Sequence, residues 1–189
     1  MKPFFSIITP TLGRESLSRC YESVDSQTFR NFEHIVQIDI PTAIAANTIP
    51  YRHLAVCSEA HHNFGNTCRH LAWERSTGEY LLYLDDDNYL SGTTALADLC
   101  IALHSAEYPD WAVMPMMRHG SIFFNLPPGL CMTDTGNIIV KREIGRWPDM
   151  NDYTADGHWV EALKANHPNY TAFPSLKPVV VMEKSSEGR

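Results

Sequence analysis

Little in this chain could hold it together covalently. Its five cysteines, at positions 20, 57, 68, 100 and 131, are odd in number, widely spaced and free of any C-x-x-C pair. That pattern points away from a disulfide framework or a zinc ribbon and toward reduced, mostly buried thiols in a cytoplasmic setting. No run reaches the ~18 apolar residues of a membrane span. The opening Met1-Lys2-Pro3 and the short apolar stretch after it lack the length and cleavage site of a signal peptide. Positive charge is scarce as well: 15 Lys and Arg stand against 22 Asp and Glu, for a net charge of −7. This disfavours a general nucleic-acid or anionic-membrane surface. Repeats and low-complexity tracts are absent. Several catalytic signatures are missing too. No serine sits in G-x-S-x-G, and Gly65-Asn66-Thr67 has neither a Walker lysine nor G-x-G-x-x-G spacing. His61-His62 lacks an H-x-x-x-H partner or a neighbouring cysteine motif, which favours a loop lining over zinc, and Cys68 has no partner base for thiol catalysis.

What is present is a soluble globular composition, 44% hydrophobic and 20% charged, over 189 residues, enough for one domain with a sizeable core. The most informative feature is Asp85-Asp86-Asp87, which closes the apolar run Tyr80-Leu81-Leu82-Tyr83-Leu84. A run of β-formers after Gly78 reads as a buried strand. In open α/β sheets the carboxyl edge of such a strand is where ligands bind. Three adjacent carboxylates repel one another unless a cation sits among them. Oxygen donors of this kind suit Mg(II) or Mn(II), which keep waters and take further ligands from substrate phosphates. The competing reading is an Asp-rich turn that caps the next helix.

Hydrophobic spacing predicts strands at 4–9, 32–39, 53–57, 79–84 and 111–116, alternating with helices at 14–26, 65–77 and 94–104. Residues 40–52, with Pro41 and Pro50, read as a loop. Beyond residue 115 come short β segments at 121–124, 131–133 and 137–141, a helix at 155–166 and a last strand at 178–182. The expected fold is therefore α/β, a mostly parallel sheet flanked by helices. Residues 1–183 form a single domain, with 1–115 binding a nucleotide and 116–183 facing an acceptor, before a frayed polar tail at 184–189.

These blocks resemble family 2 glycosyltransferases. The resemblance rests on Phe5-Ser6-Ile7-Ile8-Thr9-Pro10-Thr11, Ser23-Val24-Asp25-Ser26-Gln27-Thr28-Phe29, Phe32-Glu33-His34-Ile35-Val36 with Asp39, and Gly65…Arg69. It continues through Thr77-Gly78-Glu79 to Asp85-Asp86-Asp87, covering about the first hundred residues, and more weakly through Ala155-Asp156-Gly157-His158-Trp159. It implies a GT-A (Rossmann-like) fold that binds a nucleoside-diphosphate sugar with Mn(II) or Mg(II) and transfers the sugar with inversion. Carried onto this sequence, Thr9 and Thr11 would touch the base and ribose, and Asp39 would accept a hydrogen bond from a uracil ring. The usual paired acids with Gly-Ser are replaced here by Ile38-Asp39-Ile40-Pro41, and a turn Asp before Pro41 is the other reading of Asp39. Arg69 would pair with a site carboxylate or the diphosphate. Asp87 matches the metal ligand, while Asp85 and Asp86 match positions that hold the ribose or reach the metal through water.

A hydroxyl acceptor must lose its proton as it attacks, so a carboxylate has to face the donor. The resemblance gives that role to Asp156, whose alternative is a helix N-cap. His158 is a candidate metal ligand or diphosphate donor, and Asp134 a residue near the acceptor or a turn Asp. The function implied is a hexosyl- or pentosyltransferase using a UDP-sugar in preference to others, with no membrane span. Its acceptor is a glycan, a lipid-linked sugar, a protein or a modified base. The short reach past the last strand argues against a polymer-extruding synthase. Two other classes stay open: a nucleotidyltransferase, although Pro10-Thr11-Leu12-Gly13-Arg14 is a poor match to its Gly-rich loop, and a non-catalytic sugar-nucleotide or glycan-binding module.

Overall fold

Strand β1 (Phe5–Thr11) is buried along its whole length, and such a strand belongs at the centre of a sheet. It pairs in parallel with β2 (Phe32–Ile38) on one side and β4 (Tyr80–Tyr83) on the other. The computed structural model describes residues 2–39, 54–130 and 132–183. The loop expected at 40–52 and the tail at 184–189 lie outside them. The remaining elements follow in chain order. Helix α1 (Ser16–Asp25) precedes β2; β3 (Leu54–Val56) and α2 (Asn66–Arg75) precede β4; β5 (Asn88–Leu90) and α3 (Ala95–Ser105) follow it. Then come β6 (Trp111–Val113), β7 (Met116–Arg118), β8 (Ser121–Phe123), a 3-10 turn (Thr135–Asn137), β9 (Ile138–Lys141), α4 (Ala155–Asn166), β10 (Thr171–Ala172) and β11 (Val180–Met182).

Seven strands form the central sheet in the order β10-β6-β9-β4-β1-β2-β3, parallel except for β9, which runs antiparallel to both of its neighbours. Alternate side chains feed two cores. Phe5, Ile7, Leu82 and Ile139 meet α1 and α3 through Cys20, Val24, Leu96, Leu99 and Leu103. Ile8, Leu81, Tyr83 and Val140 meet α2 and α4 through Ala72, Trp159, Val160 and Leu163, with Trp147 filling the gap between them. A second sheet, β5-β11-β7-β8, stands beside the first.

Three expectations change. The stretch 111–116 is not one strand: β6 and β7 belong to different sheets, broken at Met114-Pro115, where proline offers no N–H to a ladder. No strand forms at Met132-Thr133; the Met132 N–H and the Thr133 hydroxyl both bond the Gly129 carbonyl and make a turn. Asp85-Asp86-Asp87 caps no helix, because β5 follows at once and the N-cap of α3 is Thr94. The triplet therefore joins the two sheets.

The turn into β4 is tightly determined. Glu33 Oε1 accepts from Ser6 Oγ (2.6 Å), from Thr77 and from the Gly78 N–H (3.1 Å), and Ser6 Oγ also accepts from Gly78 N (2.8 Å). A Cβ on Gly78 would sit 2.5 Å from Ser6 Oγ and 2.6 Å from Ser6 N, both far inside contact distance. Gly78→Ala is expected to cost about 2–3 kcal/mol, as overpacking against backbone does, seen as a lower urea midpoint at unchanged slope. An unchanged midpoint would show that β1 and β4 can part without loss.

Candidate active site

The carboxyl ends of β1 and β4 lie side by side, so the residues just past them must share one edge of the sheet. Thr11 Oγ1 donates to Asp86 Oδ2 at 2.6 Å and accepts from Gly13 N at 2.8 Å, which folds the loop after β1 onto the triplet. Arg14 leans over the same group, 3.4 Å from Asp86 Oδ1 and 3.8 Å from Asp87 Oδ2. Asp86 is 5% exposed, and burial pushes its carboxyl up to about 6 despite the Thr11 hydrogen bond and Arg14. Asp85 is held from the other side by Arg69 Nη2. Arg69 also donates to the Phe64 carbonyl (2.9 Å) and lies 4.9 Å over the Trp147 ring.

Asp86 is thus enclosed by protein groups, while Asp85, on Arg69, and Asp87, 3.8 Å from Arg14, keep 28% and 24% of their side chains exposed. The carboxylates do not converge on a point as a protein-only cage would require; among the described residues only Asp39, Cys57 and His61 do that. A hard divalent ion that keeps waters and uses one or two carboxylates plus phosphate fits such a donor set. The burial of Asp86, which Arg14 and Thr11 only partly offset, fits it too, since a cation beside that group favours its ionised form. Asn88, next in the chain and 1% exposed, has neither amide atom paired among the described residues.

The other half of the site comes from the second part of the chain. Asn66, in the first turn of α2, donates to the carbonyls of Met150 and Asp152 (2.9 Å each) and accepts from Trp147 Nε1 (3.0 Å). This ties the segment entering α4 to the helix that carries Arg69. Gly65 makes the approach possible: its φ of 76° is left-handed, and a Cβ there would meet Pro10 Cβ at 3.0 Å. Asp152 Oδ1 accepts from the Thr154 N–H and hydroxyl, 2.8 Å each. The N-cap position of α4 belongs to Thr154, and Asp156 lies inside the first turn, where its Oδ1 accepts from Gly157 N at 2.8 Å. The N-cap reading of Asp156 is thereby removed. Burial raises its pKa, opposed by the Gly157 N–H; the charge of Asp85 raises it further and Arg69 lowers it. Asp156 therefore faces the field of the strand-end group.

Asp134 does so as well. It caps the 3-10 turn in a capping box with Asn137, and its Oδ1 accepts from Gly136 N at 3.2 Å. Burial pushes it up to about 6, helped by the charges of Asp85 and Asp156. A carboxyl raised from its ordinary 3.8 contributes stability that is complete below that value and is lost as pH rises through about 6. Asp134→Asn keeps a capping oxygen and removes the charge. In a chelator-containing buffer, its stability advantage over the wild type should be small near pH 4 and on the order of 2 kcal/mol near pH 8. Equal urea midpoints for the two proteins across that range would place Asp134 in water instead.

The remaining sequence candidates are placed as follows. Thr9 is fully buried, its hydroxyl 3.0 Å from His34 Nε2 and 3.8 Å from Cys20 Sγ, so its side chain serves the α1 interface and not the sheet edge. Asp39 is 3% exposed and accepts the backbone N–H groups of His61 (2.8 Å) and His62 (2.9 Å), one on each oxygen. His158 Nε2 sits 3.5 Å from Asp152 Oδ2 and lines a cavity with Arg146, Trp147 and Asp149. Asn66 and Trp147, which position the entry to α4, were not singled out from sequence for that task. An asparagine just after a left-handed glycine and a lone tryptophan carry no local signature of a contact made more than eighty positions away.

No protein-family model matches the chain, and no curated protein matches it in sequence. Solved structures do. S. aureus TarS 1–349 in complex with UDP-GlcNAc matches with a TM-score of 0.76 at 19% identity, over 100% of this chain and 60% of that one. The mannosyltransferase PcManGT from Pyrobaculum calidifontis, in complex with GDP-Man and Mn2+, matches with a TM-score of 0.68 at 18% identity, over 100% and 59%. The fold is that of the GT-A glycosyltransferases. The longer S. aureus TarS chain also matches, with a TM-score of 0.75 at 18% identity, but this chain covers 37% of it. The chain thus spans between 37% and 60% of the length of the structures it matches. Among the described residues no helix is long and apolar enough to cross a membrane.

Proposed function

We propose that the protein is a metal-dependent, inverting glycosyltransferase that moves a sugar from a UDP-sugar to a hydroxyl acceptor. The observation that carries the reading is the meeting of Asp156, at the start of α4, with Asp85, past the end of β4, in one electrostatic neighbourhood. A strand-end carboxylate set for a diphosphate and a half-buried carboxylate across from it are the two parts that transfer to a hydroxyl requires. The matched structures bind UDP-GlcNAc in one case and GDP-Man with Mn2+ in another, which supports a sugar-nucleotide donor.

In this reading Asp87, with Asp85 beside it, holds Mn(II) or Mg(II), and the ion when bound offsets charge developing on the leaving diphosphate. Thr11 and Arg14 fix Asp86 and with it the loop after β1. Arg69 orients Asp85 and presents its guanidinium to the phosphate side. Asp39 and the main chain of 61–62 form the wall for the nucleobase. Asp156 accepts the acceptor's proton at a carboxylate oxygen as the hydroxyl oxygen displaces the diphosphate at C1. Residues 1–115 supply the donor side and 116–183 the acceptor side of the domain.

The direct test is hydrolysis of UDP-, GDP-, CDP- and dTDP-sugars by the purified protein, with and without Mn(II). Mn(II)-stimulated release of UDP above the other three diphosphates is expected. Release of pyrophosphate from a nucleoside triphosphate would instead make the protein a nucleotidyltransferase, and donor binding with no turnover would make it a binding module.

A further inference from the structure

The best-formed metal-ligand constellation among the described residues is not the aspartate triplet. The carboxylate of Asp39, the thiol of Cys57 and the imidazole of His61 each offer one donor atom, all within 4.8 Å of one another. Cys68 Sγ, 3.6 Å from Cys57 Sγ, is a further donor on that side of the group, although it does not lie within 4.8 Å of all three. Tetrahedral zinc with bonds of about 2.3 Å to sulfur sets two thiolates about 3.8 Å apart. The pair is already at that spacing.

We propose that Asp39, Cys57, His61 and Cys68 form a site for a thiophilic divalent cation such as Zn(II), separate from the triplet. The four residues come from three elements: Asp39 follows β2, Cys57 follows β3 with His61 four positions on, and Cys68 is in α2. This is why no metal spacing shows in the sequence, where His61-His62 reads as a loop lining.

The surroundings are those of a ligated thiolate. Gln37 Nε2 donates to Cys57 Sγ at 3.3 Å. The amide is oriented that way because Arg75 donates to its oxygen. Outer hydrogen bonds of this kind fix ligands and stabilise charge on sulfur. Asp39 uses one lone pair of each oxygen on the His61 and His62 N–H groups, and a carboxylate keeps further lone pairs for a cation. Two thiolates, one carboxylate and one imidazole favour Zn(II) over Mn(II), whereas the all-oxygen triplet has the opposite preference.

The test uses Co(II) as a spectroscopic stand-in on the reduced, chelator-stripped protein. A thiolate-to-cobalt charge-transfer band is expected, displaced by Zn(II) and absent in Cys57→Ser. In Cys68→Ser the band should fall by about half, as one of two thiolates is lost. His61→Ala, at a partly exposed position, should weaken Co(II) binding tenfold or more, with an unchanged circular dichroism spectrum confirming the fold. No band in the wild type, or full intensity in Cys57→Ser, overturns the proposal.

One further measurement rests on the transferase reading, which puts the nucleobase against Asp39. Zn(II) should then weaken UDP binding in the wild type and not in Cys57→Ser. A cobalt band without that competition leaves the cation site standing and overturns the base position.

Discussion

Asp156→Asn is expected to lower sugar transfer by about 10² to 10⁴, the usual share of a general base, while donor affinity stays near that of the wild type. Asparagine matches aspartate in size and can still accept the Gly157 N–H that Asp156 Oδ1 accepts now, so α4 should start as before. What disappears is proton acceptance. Because burial and Asp85 raise the pKa of Asp156, the wild-type rate should fall with decreasing pH at values above the ordinary aspartate range. That acid limb should be missing from the residual activity of the variant. Initial rates and calorimetric UDP affinities on the two proteins check both statements. Undiminished transfer would pass the role to Asp134 or Asp152.

Asp87→Ala should abolish Mn(II)-dependent binding of the nucleoside diphosphate and, with it, transfer. Asp86 is enclosed, its carboxylate on the Thr11 hydroxyl and beside Arg14, and Asp85 alone, shared with Arg69, leaves the ion one carboxylate short. Taking one negative charge from a crowded group also relieves repulsion, which leaves the melting temperature of the metal-free variant equal or higher. Calorimetry with UDP and Mn(II) reads the first effect, and a thermal melt in chelator the second. Wild-type Mn(II)-dependent affinity in the variant would move the metal away from the strand end.

The parts of this architecture written in short-range pattern were legible in the sequence. The run 80–84 alternates between two cores in the structure, and helix 155–166 has the bounds its spacing predicts. The acidic triplet stands at a strand end, as a strand-then-carboxylate pattern requires. Elements that depend on distant partners were not legible. Strand β5, Asn88–Leu90, follows three aspartates and looks like a turn, and it is a strand only because β11 pairs with it from residues 180–182. Strand β10 has two residues and no pattern of its own. Thr9 and Thr11 are two apart on one strand, yet Thr9 turns to His34 and Thr11 to Asp86. Pairing with β4 stops at Ile8↔Tyr83 while pairing with β2 runs on to Thr11, so the end of β1 is open toward the triplet, which strand periodicity alone does not reveal. Cys57 and Cys68 carried no motif because the turn that brings their sulfurs together is tertiary.

Strand β9 has a consequence for how the chain is made. It is wedged between β4 and β6, so neither of those strands has a lateral partner on that side until residues 138–141 have left the ribosome. Until then the nascent chain carries two open, apolar β edges, Leu81 on one and Trp111 to Val113 on the other, a template for pairing between neighbouring chains. The strand that follows the aspartates waits longer still, for residues 180–182. Assembly is consequently late and non-local, the regime in which folding is slow, and a fragment ending near residue 115 should aggregate on expression where the full chain does not.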